Sequence, residues 1–301
     1  MTDSLSTLIS SKLKLSEKYA EFIQDMNKSA TLALESEPDE AVKIAVDKFG
    51  LKKNPDGFYL LNANKKLQKD LPPGAKHDSL LGLELLPASW TLDISPNNYS
   101  FEPKSLNICP KAGLCALKNN CLVFSSPYTN AMSKRSRRKK FMLEHPKEFL
   151  KVLFLDINFA FEKFRKPAFR LNVFSDILWE HILPTPIKKK LGGNIYDYTK
   201  IKNRMDIFPK GFEYSLTYSF HEKDKKEEIP FLAKRFKSVA VVFPKGDPRP
   251  ESIEGVKVVD GDKHDYRLSD NHFIVALTAK ASLASKKGSG SPMLFQKTEN
   301  K

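Results

Sequence analysis

The chain has 301 residues, 41% of them hydrophobic and 11% aromatic, which is enough to bury one large core or one core with a smaller attachment, and too apolar for a wholly disordered chain. No apolar run is long enough to span a membrane, and "MTDSLSTLISSKLKLSEK" lacks the basic leader and apolar block of a signal peptide, so neither insertion nor secretion is expected and a cytoplasmic location follows. The net charge is +14, and residues 1–80 carry 12 basic and 12 acidic side chains, so the whole excess falls in 81–301, where it suits a polyanion such as nucleic acid or a plain lysine-rich surface.

Residues 4–49 predict helices: Leu8, Ile9, Leu13, Leu15, Tyr19, Phe22, Ile23 and Met26 recur at helical spacing, Ser36 is a candidate N-cap and Gly50 a stop. "PDGFYLLNANKKL" reads as a turn and short strand, and "KDLPPGAKHD" as a linker, making 1–75 a helical accessory segment. Beyond it, "LLGLELLPAS" predicts a buried strand, and residues 130–164 a long helical stretch broken near Pro146. "AFRLNVFSD", "NIYDYTKI", "FEYSLTYSFHE", "SVAVVFP" and "NHFIVALTAKA" predict strands, separated by the helical "ILWEHILPTPIKKKL" and "KDKKEEIPFLAKRF". Strands alternating with helices predict parallel βαβ units: an α/β domain over 80–282, built as a partial or complete (β/α) barrel-like sheet or an open doubly wound one, with 283–301 as a flexible tail.

In such sheets function gathers at the C-terminal ends of strands. Those positions carry Ser175, Asp176, Trp179 and Glu180; Thr199, Lys200 and Arg204; His221 and Glu222; and Asp260, Asp262, Asp265, Arg267 and Asp270. Singly, each is explained as a cap, turn or surface charge. Their repetition at successive strand ends predicts a shared pocket.

"NICPKAGLCALKNNC" holds the only three cysteines, Cys109, Cys115 and Cys121. Three thiols within thirteen positions favour ligation over three small buried hydrophobes. Two ligand chemistries remain open: zinc with a histidine, His77 or His145 being nearest in sequence, or an iron–sulfur cluster on three thiolates with one iron left for a small molecule, as in radical S-adenosylmethionine enzymes. A further cluster, "SKRSRRKKF", has six basic residues within 134–140, and Lys134, Arg135, Arg137 and Arg138 are candidates for phosphate contacts.

"ICPKAGLCALKNNC", "RLNVFSDILWE", "YDYTKIKNR", "YSLTYSFHE", "VAVVF" and "VVDGDKHDYRLSD" stand in the same order in a phage-encoded family similar to the gene product 88 domain, a resemblance covering about residues 80–280. It implies a phage origin, hence the cytoplasm of an infected bacterial host. It also implies a Cys-Pro…Cys…Cys loop (Cys109, Cys115, Cys121), an Arg-containing strand ending in Ser-Asp (Arg170, Asn172, Ser175, Asp176), and a Tyr-Thr-Lys strand end (Tyr198, Thr199, Lys200). It implies no particular reaction.

Three functions compete. In an iron–sulfur enzyme of radical-SAM-like architecture the cysteines hold the cluster, Arg170, Asn172 and Ser175 grip cofactor, and Asp176, Lys200 and Glu222 act on a nucleotide or nucleic-acid-related substrate. In a metal-dependent nuclease Asp260, Asp262, Asp265 and Glu222 hold Mg²⁺. In a non-catalytic nucleic-acid-binding protein the 134–140 run suffices.

Overall fold

The computed structural model describes residues 4–63, 75–85, 90–92, 99–101, 106–111, 129–221, 223–243, 246 and 248–279. The expected tail 283–301 lies outside these residues. Three helices lead: α1 (Leu5–Leu13), α2 (Glu17–Glu35) and α3 (Pro38–Asp47). Ser4 and Ser16 cap the first two by accepting from the Thr7 and Tyr19 amides. The predicted cap Ser36 instead donates back to the Ala33 carbonyl, and α3 begins at Pro38, where a missing N–H costs nothing.

The remaining described strands and α-helices are β1 (Leu61–Ala63), β2 (Ser79–Leu83), β3 (Trp90–Leu92), β4 (Tyr99–Phe101), α4 (Thr129–Glu144), α5 (Pro146–Lys163), β5 (Pro167–Arg170), α6 (Trp179–Ile182), α7 (Thr185–Leu191), β6 (Ile195–Thr199), β7 (Tyr214–Ser219), α8 (Ile229–Arg235), β8 (Ser238–Phe243), β9 (Ser252–Ile253), β10 (Val256–Asp260) and β11 (Phe273–Thr278). The long helical stretch does break at Pro146, which opens α5.

Among the described residues nine strands form one sheet in the order β1-β2-β5-β6-β7-β8-β11-β10-β9. Its inner pairings are all parallel, and only the edge strands β1 and β9 run antiparallel. The order is linear between two edges, so the sheet stays open and does not close into a barrel. β2, β5, β6, β7 and β8 lie side by side in chain order. Right-handed crossovers that keep stepping the same way put their helices on one face.

Burial confirms two unlike faces. Leu81, Phe169, Ile195, Leu216, Val239, Val241, Ile274 and Ala276 join the helices in the main core. That core also takes in Ile9, Ile23 and Ala45, because α2 packs on α5 and α6 and α3 packs on α5. On the other face Leu80, Ala168 and Tyr196 pack against Tyr266, which belongs to the connection 261–272 between β10 and β11. This strap crosses a face on which, among the described residues, no helix packs. It leaves over β11 at Gly261, where a Cβ would lie 2.3 Å from Val275 Cγ1 and 2.9 Å from the Ala276 carbonyl oxygen, so the crossing requires glycine.

Candidate functional site at the C-terminal rim

The turn after β5 is organised by one side chain. Asn172 Oδ1 accepts from the Ile177 amide (2.9 Å), Ser175 Oγ (2.8 Å) and Trp179 Nε1 (3.2 Å), while its Nδ2 donates to the Ile177 carbonyl (2.9 Å). An Asx side chain that satisfies its own turn is the local reason the chain stops being a strand here.

That turn presents Asp176 to the end of β6. Asp176 Oδ2 accepts from Thr199 Oγ1 (3.1 Å) and the Lys200 amide (2.9 Å), and Oδ1 accepts from Arg204 Nη1 (2.8 Å). Glu180 takes Arg204 Nε (2.7 Å) and Nη2 (2.6 Å), and the same Nη2 also reaches the Ile177 carbonyl (3.1 Å). Arg204 and Glu180 are both 0% exposed, so this is a buried ion cluster whose members are all hydrogen-bonded. Burial pushes the Asp176 carboxyl above its ordinary range, against the pull of Arg204 and the donors from Lys200 and Thr199.

Asp176 also joins distant segments through its backbone. Its carbonyl accepts from Tyr19 Oη of α2 (2.8 Å), and its amide donates to the Ile108 carbonyl (3.0 Å). The second bond docks the start of the cysteine loop on the rim. Ile108 is buried in the core, Cys109 is half-buried, and the Cys109 amide donates to Asn107 Oδ1 (2.9 Å). The Tyr19 hydroxyl is held in the protonated form, mainly by burial and then by Asp176, with Cys109 adding to the same effect.

Deeper in the rim, Asp197 of β6 accepts from Tyr214 Oη (2.5 Å) and from the Asn172 (2.8 Å) and Leu171 (3.2 Å) amides. Burial pushes its carboxyl up to about 7, and these donors offset only part of that. Farther along, Lys200 Nζ donates to Ser219 Oγ at the end of β7 (2.8 Å). His221 follows in a turn closed on Asp224, which accepts from the His221 amide (3.1 Å), Tyr218 Oη (3.0 Å) and Lys202 Nζ (2.7 Å). Burial holds His221 below its ordinary value, and Lys200, Lys202 and Lys223 push the same way against Asp224.

The structure thus brings Asn172, Ser175, Asp176, Thr199, Lys200, Glu180 and Arg204 together at adjoining strand ends, beside Cys109. Arg170 lies on the opposite face, paired with Asp265 of the strap. Glu222, Cys115 and Cys121 lie outside the described residues. Among the described residues no three His, Cys, Asp or Glu side chains converge as a metal site. His77 sits at the other end of β6, with Nδ1 on Tyr266 Oη (2.7 Å) and Nε2 on Asn194 Oδ1 (2.9 Å). His145 lies against Phe49 and Phe141.

The acids of the 260–265 loop part company. Asp260 and Asp262 share Arg249, and Asp265 pairs with Arg170. In the basic run, Arg135 donates to Glu84 (2.9 Å) and stacks on Phe174, and Arg138 is buried against Asn62 Oδ1 (3.2 Å) with its pKa lowered by burial to about 10. Lys134 is half-buried, and Arg137 and Lys140 remain exposed. Tyr19, Asp197 and Tyr214 were not singled out by sequence reasoning as site residues. Asp197 carried a signal, an acid set between tyrosines in the strand "IYDYT".

Fold and rim together define an α/β protein with an open, mostly parallel sheet and a polar C-terminal rim. The sequence matches the family model described as gene product 88 over residues 59–291, and the chain belongs to this phage family. No curated protein and no solved structure matches it. Among the described residues no helix is long and apolar enough to cross a membrane.

Proposed function

We propose that the protein is a metal-binding α/β enzyme whose thiolates, Cys109, Cys115 and Cys121, hold an iron–sulfur cluster over the C-terminal rim in a radical-SAM-like site, acting on a nucleotide or nucleic-acid-related substrate. The observation that carries this reading is the docking of the Cys109 segment on Asp176 at the ends of the parallel strands, where α/β enzymes build their sites. The donor set fits the group: three thiolates leave one iron of a [4Fe–4S] cluster open to S-adenosylmethionine. Cluster and S-adenosylmethionine, when bound, supply radical chemistry. Zinc on the same thiolates is the alternative metal.

The chain's own residues then have distinct tasks. Asn172, Ser175 and Asp176 have their polar atoms committed to neighbours, so they fix the shape of the rim and the position of the cysteine segment. Lys200 is half-buried and held by Ser219, so its ammonium is the candidate to meet an anionic substrate, with Glu222, just beyond Ser219 in the sequence, as an acid–base partner. Arg170 serves the opposite face. Nucleic acid as partner is supported by the net charge of +14 and by the exposed Arg137 and Lys140. The ion pairing of Asp260 and Asp262 with Arg249, and of Asp265 with Arg170, favours this reading over a nuclease built on that loop.

The experiment is anaerobic purification of the full chain with iron, sulfide and zinc assays and a visible spectrum. A brown protein with stoichiometric iron and sulfide is expected. Colourless protein with stoichiometric zinc would reassign the metal and remove the radical chemistry, and protein free of both would overturn the proposal.

A further inference from the structure

The strap closes a second polar constellation that the rim does not use. Arg170 of β5 lies with its guanidinium carbon 4.6 Å from the ring centroid of Tyr198 on the neighbouring β6. Asp265 caps both: one carboxylate oxygen pairs with Arg170 Nη1 and the other accepts from Tyr198 Oη (3.1 Å). Arg267 Nε donates to the same Tyr198 oxygen (3.0 Å), and its Nη2 holds the carbonyls of Gly261 and His264, which fixes the strap in its arch.

Two groups in this constellation are unfilled. Arg170 Nε and the Tyr196 hydroxyl are buried and have no hydrogen-bond partner among the described residues. Tyr196 is 0% exposed, and its ring packs under Tyr266 of the strap. Buried polar groups ordinarily find partners, and each orphan is costly. Arg170 makes the gap specific. A guanidinium can meet an oxyanion in a two-pronged fork, yet Asp265 engages a single prong. Asp265 is also the accessible member of the pair, with 28% of its side chain exposed against 16% for Arg170, so the cap faces solvent and the arginine lies behind it.

We propose that Arg170, Tyr196 and Tyr198 form a binding site for the oxyanion of a small ligand, a carboxylate or a phosphate, and that the Asp265 carboxylate occupies it until such a ligand displaces the strap. The site lies on the sheet face opposite the helices and does not rest on the thiolate reading, so it is tested on protein without metal.

Inorganic phosphate and acetate are titrated separately against the native chain and Asp265→Asn, at an ionic strength held constant with chloride, with thermal unfolding as the readout. The variant keeps the shape of the cap and loses its charge. It is expected to bind one of the two anions about tenfold more tightly than the native chain, the factor for a site that its own cap leaves open roughly a tenth of the time. Adding Arg170→Lys to that variant should abolish the gain. Which anion responds assigns the ligand to carboxylates or phosphates. Equal response of native chain and variant, or none, overturns the proposal. A second readout uses the native chain alone: the preferred anion should speed tryptic cleavage after the exposed Lys263 of the strap relative to chloride, and an unchanged cleavage rate under both anions overturns the displacement.

Discussion

Replacing Arg204 by methionine tests whether the rim is held by its buried ion cluster. The substitution keeps an unbranched apolar stem and removes the hydrogen bonds from Nε, Nη1 and Nη2 that reach Asp176, Glu180 and the Ile177 carbonyl. Two carboxylates, 4% and 0% exposed, are left without a counter-charge. Breaking a buried pair from one side costs about 3–5 kcal/mol, a large part of the roughly 5–15 kcal/mol that holds a domain folded. Urea unfolding followed by circular dichroism at pH 7 should show a midpoint lowered accordingly, with little change in the slope.

The deficit should also depend on pH. Burial already raises Asp176, with Arg204 opposing, and removing Arg204 raises it further. A carboxyl raised in the folded state favours folding on the acid side and opposes it as pH rises past its unfolded value. The cost of Arg204→Met should therefore shrink as pH falls from 7 toward 4, and adding Glu180→Gln should recover part of it at neutral pH. A variant within 1 kcal/mol of the native chain at pH 7, or a deficit that grows in acid, would refute the reasoning.

Three further outcomes are expected. Asp197 ionises at about 7 when folded and near about 3.9 unfolded. Its contribution to stability therefore declines as pH rises between those values, by at most about 4 kcal/mol, and the native chain should lose stability relative to Asp197→Asn across that window in denaturant titrations. Gly261→Ala should destabilise by about 1–3 kcal/mol in the same assay, since the new methyl overlaps Val275, Leu277 and the β11 backbone. In titrations with duplex DNA at several salt concentrations, Arg137→Ala with Lys140→Ala should flatten the log–log salt slope by up to about two units, whereas Arg135→Ala should lower the unfolding midpoint because it strips Glu84 and Phe174 of their partner.

Much of the sheet was legible because its strands are apolar runs of four to six residues set between turn residues and helical stretches. The convergence of Asp176, Thr199 and Arg204 was legible as well, since it follows from polar residues at successive parallel strand ends. The bonds inside that cluster were not. Tyr19 lies 157 positions from the Asp176 carbonyl it holds, and local periodicity carries no trace of such a pairing. The inward turn of two residues of the basic run was hidden for a related reason. The density of the run suggested a phosphate-binding face, but the helix turns Arg135 and Arg138, three apart, inward onto Glu84 and Asn62. The loop 260–270 read as a turn or a metal site, and its partners Arg170, Tyr198 and Ser238 come from strands 32–95 positions away.

The central claim is that the three thiolates form one ligand set at the rim. The most direct measurement is the paramagnetic resonance spectrum of the chain reconstituted anaerobically with iron and sulfide and then reduced, for native protein and for Cys109→Ser, Cys115→Ser and Cys121→Ser. The account predicts one cluster signal in the native chain, a change in that signal when S-adenosylmethionine is added, and loss of the signal in every variant. Native protein without a signal, or a signal that survives all three substitutions, would contradict it.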